Sequence, residues 1–148
     1  MGKRRRAREL AVQVLFHLEF SLDDPNEAVD LIYDKFNSQK SIKSFSKELV
    51  SGICENKKEV DKLIRSASKN WRIDRMSYLD RSILRLATFE ILFMKDIPPK
   101  VSMDEAVEIG KKFGSKDSGS FVNGLLDNIY NNLLQEGRLK KMDTDVPT

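Results

Sequence analysis

Lys3, Arg4, Arg5, Arg6 and Arg8 crowd five cationic side chains into one short segment, and the chemistry they offer is attraction for a polyanion. The whole chain carries a formal net charge of only +3, so everything beyond this segment is slightly acidic. A cation cluster on an otherwise balanced protein is the footprint of a local contact. A solvated tail or a targeting remnant would look similar. The amphipathic helix that starts inside the run argues against both.

Two further groups could bind. Val12, Phe16 and Phe20 recur at i, i+4 and i+8, opposite the main apolar stripe of the same helix. A helix with two apolar faces either sits between two layers or presents one face to a partner. The segment Ser115 to Ser120 is a small polar loop that opens a helix, where free backbone N–H groups and the positive dipole end favour anions. Lys111, Lys112 and Lys116 flank it. Phe121, just inside that helix, either stacks on an unpaired base or packs in the core.

Catalytic constellations are missing. His17 is the sole histidine, which leaves a metal site or a histidine-based triad without evident partners. No glycine loop of the P-loop or dinucleotide type is present. Asp23 and Asp24 are explained by helix capping. Glu90 falls in the middle of an apolar face, where a carboxylate must find donors, so it is expected to tie down a neighbouring helix end or loop. A general-acid role for it lacks a second catalytic group. Binding without cofactor or metal is the better class of answer.

The elements that position these groups read as helices throughout. The 148 residues include seven Gly and four Pro, leaving long stretches without breakers, and no alternating run of β-branched residues suggests a strand. A first helix is expected from Arg4 to Phe20, with Ala7, Leu10, Ala11, Val14, Leu15 and Leu18 inward. Asp24-Pro25-Asn26-Glu27 announces a second helix. Ser41, Ser44 or Ser46 caps a third, and Asn56 with Glu59 resembles a capping pair for a fourth that continues to Trp71. The most apolar helix spans Met76 to Met94 and should be central. Pro98-Pro99 stops it, Ser102 to Glu105 forms a capping box with Val101 and Ala106 as a staple, and Gly114 ends that helix as a C′ residue. A last helix begins near Phe121 and closes at Gly137, with a frayed tail from Arg138 to Thr148.

Cys54 is the only cysteine, so no internal disulfide is possible and a reducing cytoplasm fits. No segment approaches the roughly 20 apolar residues needed to span a bilayer, and the expectation is a cytoplasmic protein with no membrane contact. One all-α domain is expected, with an N-terminal subdomain over about 1–55 and a C-terminal one over about 56–137.

KRRRARELAVQVLF (3–16), DRSILRLATFEILF (80–93), IPPKVSMDEAVEIGKKFG (97–114) and SGSFVNGLLDNI (118–129) together resemble the family of the bacterial transcription antitermination factor NusB. The resemblance spans nearly the whole chain, although 21–69 matches only in pattern. It implies an all-α fold of about seven helices in two small bundles packed across each other. It also implies binding of boxA-type single-stranded RNA, pairing with the small-ribosomal-subunit protein NusE, and a place in antitermination complexes on RNA polymerase, notably in ribosomal RNA transcription. Through it Arg4, Arg5, Arg6 and Arg8 match an arginine-rich RNA-binding motif. Phe16 matches an aromatic position at the NusE interface, where tyrosine also occurs, and Asp80 matches an acidic interface position. Asp117 matches an acidic residue at the edge of the RNA surface, and Phe121 and Asn123 match the segment lining it. Ser115 and Ser118 belong to the same expected surface. A similar fold begins certain ribosomal RNA cytosine methyltransferases, but no cofactor-binding segment follows here, and the expectation is a non-catalytic protein.

Overall fold

In the computed structural model, residues 2–36, 40–68 and 72–139 are described, and they form seven α-helices and one 3-10 turn with no strand. The helices are α1 (Lys3–Leu18), α2 (Pro25–Phe36), α3 (Lys40–Glu55), α4 (Lys57–Ala67), α5 (Tyr78–Phe93), α6 (Pro99–Phe113) and α7 (Ser118–Gln135), with the 3-10 turn at Ile73–Arg75. Among the described residues no helix is long and apolar enough to cross a membrane.

α5 is the axis. Ile83, Leu84, Leu86, Ala87, Phe89 and Ile91 are all buried, and the helix packs against α1, α3, α4, α6 and α7. Its start is set by Ser77, whose Oγ accepts the Asp80 N–H at 3.0 Å. α3 comes so close to it that a Cβ at Gly52 would collide with the Phe89 ring. Phe93, the last residue of the helix, is 42% exposed, although Glu90 and Ile91 of the same turn are buried.

Several local capping expectations give way to tertiary partners. α2 begins as expected, with Asp24 Oδ2 accepting from the Asn26 and Glu27 N–H groups. α3, however, starts at Lys40, ahead of every candidate serine, and Ser46 lies buried inside it, donating to the Ala7 carbonyl of α1 at 2.7 Å. Asn56 does not cap α4 with its side chain; its Nδ2 donates back to the Gly52 carbonyl, while Glu59 pairs with Arg138. α4 ends at Ala67, and Trp71 lies outside the described residues.

α6 begins at Pro99 rather than at Ser102, and Val101 is exposed instead of stapled to Ala106. Gly114 has φ −91°, so it is not the left-handed C′ residue expected. It is small for another reason: a Cβ there would strike the Ser118 side chain and come within 2.7 Å of the Gly110 carbonyl. Gly137 does adopt φ +71°. Its N–H donates to Leu134 O and that of Arg138 to Leu133 O, the paired bonds of a Schellman motif. Arg138 and the core-packed Leu139 are thus docked rather than frayed, and 140–148 lie outside the described residues.

Candidate nucleic-acid and partner interface

The first turn of α1 contains no acidic residue, and its N-cap, Gly2, offers no side-chain bond. Cations at a helix N-terminus oppose the macrodipole, so this arrangement works against the helix and points to a use outside it. Lys3, Arg4 and Arg6 are exposed. The Arg4 guanidinium lies 4.7 Å from the Phe45 ring centroid and 3.8 Å from Asp96. Arg5 grips Glu105 of α6 through Nε at 2.8 Å and Nη2 at 2.5 Å. That guanidinium holds the Glu105 carboxyl below the usual carboxylate range, and the carboxylate in turn raises the Arg5 pKa. An open cleft of about 440 Å³ runs between these side chains and the α5–α6 connection, lined by Arg4, Arg5, Arg8, Pro98, Val101 and Glu105.

Arg8 requires a correction. Expected among the RNA contacts, it is 4% exposed and committed to Glu90, with Nε to Oε2 at 2.7 Å and Nη2 to Oε1 at 2.8 Å. The Ser102 hydroxyl completes the set by donating to Glu90 Oε1 at 2.8 Å. The buried carboxylate thus ties down a helix end, as its position in the apolar face required, and Arg8 anchors α1 rather than facing solvent.

The α6–α7 connection lies on the same side. Glu9, one helical turn beyond Arg5, accepts from Lys112 at 3.1 Å, so both α1 and the end of α6 contribute to one cationic surface. Lys111, Ser115, Lys116, Asp117 and Asn123 are all exposed. Ser118 is not: it is buried, and its Oγ accepts from the Ser115 N–H at 2.9 Å, shaping the loop instead of offering itself to a ligand. Phe121 is half-buried and packs against the core. Phe113, which no sequence pattern singled out, is 42% exposed with Lys112 Nζ 5.1 Å from its ring centroid. Its position at the end of α6, next to Gly114, was the available signal.

At the other end of α1, Val12 is corrected from partner contact to core, being 1% exposed. α1 packs on α2 and α3 and also on α5, so its second apolar stripe is covered at position 12 and emerges only in the last turn. There Phe16 (41% exposed) and, two residues past the end of α1 at Leu18 rather than inside the helix as expected, Phe20 (63%) meet Tyr78 (44%), a residue that sequence reasoning missed. The rings touch edge to face, with centroids 5.4 Å apart for Phe16–Phe20, 4.7 Å for Phe20–Tyr78 and 6.3 Å for Phe16–Tyr78. Asp80 stands nearby in the first turn of α5, and its Oδ1 is covered without a hydrogen-bond partner. His17 bonds Asp23 through Nε2 at 2.9 Å, a surface pair.

Among the described residues, an all-helical fold carries a cationic helix end at one side and an exposed aromatic patch at the other, the surfaces of a binding protein of helical class. The particular family is also shown: the chain belongs to the NusB family of transcription antitermination proteins, whose sequence model matches residues 5–131. Transcription antitermination protein NusB of Desulfatibacillum aliphaticivorans is 45% identical over 141 residues, covering 95% of this chain and 99% of the relative. That of Geobacter sulfurreducens is 43% identical over 138 residues, covering 93% and 100%. Among solved structures, T. maritima NusB superposes with a TM-score of 0.80 at 40% identity, covering 91% of this chain and 95% of that one. A crystal structure of antitermination factors NusB and NusE in complex with dsRNA gives a TM-score of 0.81 at 30% identity, covering 89% and 98%.

Proposed function

We propose that this chain is a non-catalytic adaptor that binds boxA-type single-stranded RNA together with NusE. In this reading it joins antitermination complexes on RNA polymerase in the cytoplasm, notably during ribosomal RNA transcription. The observation that carries the reading is the placement of both candidate surfaces on one helix: Arg6 and Phe16 are ten residues apart on α1, or about 15 Å at 1.5 Å per residue. A ligand on the cationic end and a protein on the aromatic end lie close enough to touch each other, which makes their binding mutually reinforcing. The related NusB–NusE complex with RNA supports the same pairing of ligands.

Roles divide as follows. Lys3, Arg4, Arg6, Lys111 and Lys116 attract phosphates, while Arg5 and Lys112 reach them by leaving Glu105 and Glu9. Ser115 and Asn123 supply hydrogen bonds, and Phe113 and the solvent-facing edge of Phe121 supply ring surface for unpaired bases. Phe16, Phe20 and Asp80 meet NusE. The relative's complex holds duplex RNA; exposed rings beside the cations favour a single strand here. Comparing a boxA strand with the same strand annealed to its complement tests this, and tighter duplex binding would overturn it.

Asp117 is exposed at the N-cap of α7 and makes no side-chain capping bond. As a negative group beside an anionic ligand it opposes binding. Asp117→Asn is expected to tighten RNA binding a few-fold, in line with about 0.5–1 kcal/mol for one exposed charge contact. Weaker binding in a fluorescence titration would mean that the carboxylate itself bonds a base.

A further inference from the structure

The aromatic patch is exposed, yet its two halves come from segments far apart in sequence, and something must hold them in register. Glu19, lying between Phe16 and Phe20 in the chain, has its side chain only 14% exposed. Its Oε2 accepts from Arg81 Nε at 3.0 Å and from Arg85 Nη1 at 2.9 Å. Arg85 in turn grips Asp61 of α4 with Nε at 2.8 Å and Nη2 at 3.0 Å. Arg81 donates through Nη1 to the Ile73 carbonyl at 3.1 Å, and its guanidinium lies 4.8 Å from the Tyr78 ring centroid. One side chain therefore touches the end of α1, the 3-10 turn and the ring at the start of α5.

Burying such a network is expensive, and apolar replacements of similar volume often hold a fold as well or better. Stability alone is a poor reason for it to lie directly behind an exposed patch. We infer that Arg81 is the positioning residue of the partner site: through Glu19 and the Tyr78 ring it locks the end of α1 to the start of α5, so that Phe16, Phe20 and Tyr78 form one preformed docking surface. The inference rests on reading that patch as the NusE site, and it adds Tyr78 to the contact set. Three rings already seated lose little freedom on binding, which is the gain a preorganised surface brings. The face they present suits an apolar side chain of the partner.

The test is calorimetric titration of purified NusE into the full chain, with Arg81→Met, Phe20→Ala and their combination. Arg81→Met is expected to weaken NusE binding about tenfold while leaving the chain's own affinity for boxA RNA unchanged. The combined variant should be no weaker than Phe20→Ala alone by more than about twofold, because both act through one surface. Tyr78→Ala, which removes an exposed ring, should reproduce the loss, and it decides the matter should Arg81→Met fold poorly. Arg81→Lys, keeping charge without the planar fork, should recover only part of the affinity. Wild-type affinity in Arg81→Met or Tyr78→Ala, or a full tenfold further loss in the Phe20→Ala background, overturns the inference. Wild-type affinity in Phe20→Ala together with Phe16→Ala instead overturns the docking reading beneath it.

Discussion

Arg8→Ala is expected to cost about 3–5 kcal/mol of folding stability, the range for removing one partner of a buried ion pair. Both side chains are almost fully enclosed, 5% exposed for Arg8 and 1% for Glu90. Truncating the arginine strands a carboxylate among apolar neighbours, with only the Ser102 hydroxyl left to it. For a chain of this size each kcal/mol shifts the melting temperature by roughly 2–4 °C, so thermal unfolding followed by circular dichroism should show a drop of about 10 °C or more. Replacing both partners, Arg8→Met with Glu90→Leu, should recover much of it, since the desolvation penalty then disappears with the charges. A melting temperature within about 2 °C of wild type for Arg8→Ala, less than a single kcal/mol would produce, would mean that Arg8 spends its time in solvent, and would return it to the RNA surface.

The exposed cations behave in the opposite way. Converting Lys3, Arg4 and Arg6 together to Ala should leave the melting temperature nearly unchanged, because none of the three is buried. RNA affinity, however, should fall by about one to two orders of magnitude at moderate salt. The slope of log K against log salt should flatten by about 2, at roughly 0.7 for each single-strand phosphate that is no longer neutralised. An unchanged slope would move the RNA site away from α1. The contrast between the two variants separates the arginine that builds the helix's seat from the cations the helix carries.

The central place of α5 was legible because its apolar residues run around most of its circumference, and Glu90 stood out as a carboxylate that needed donors. Its partner was not legible. Arg8 belongs by composition to the cation run and by position to the stripe that it shares with Val12, one turn on. Only the packing of α1 against α5 decides that position 8 turns inward. Periodicity shows that a face is apolar, not how much of its length another helix covers, and Val12 and Phe16 fall on either side of that limit.

Local signals were overridden where tertiary partners existed. Ser102 and Glu105 have the spacing of a capping box, but Glu90 takes the first and Arg5 the second. Ser46, a plausible cap, bonds Ala7 of another helix. Tyr78 was invisible for a simpler reason: its neighbours Phe16 and Phe20 lie far away in the chain, and no local pattern reports such an encounter. The Schellman bonds at Gly137 and the Asp24 cap, by contrast, depend on nothing beyond their own turn, and both appear as the residues dictate.

Joint binding of RNA and NusE is tested most directly by titrating fluorescently labelled boxA-type single-stranded RNA and a scrambled strand of equal length into the full chain, each with and without saturating NusE. BoxA RNA is expected to bind more tightly than the scramble, NusE to tighten boxA binding at least tenfold, and the scramble to gain far less. Equal affinity for the two strands, unmoved by NusE, would contradict joint binding and leave the cations of α1 as a solvated helix end.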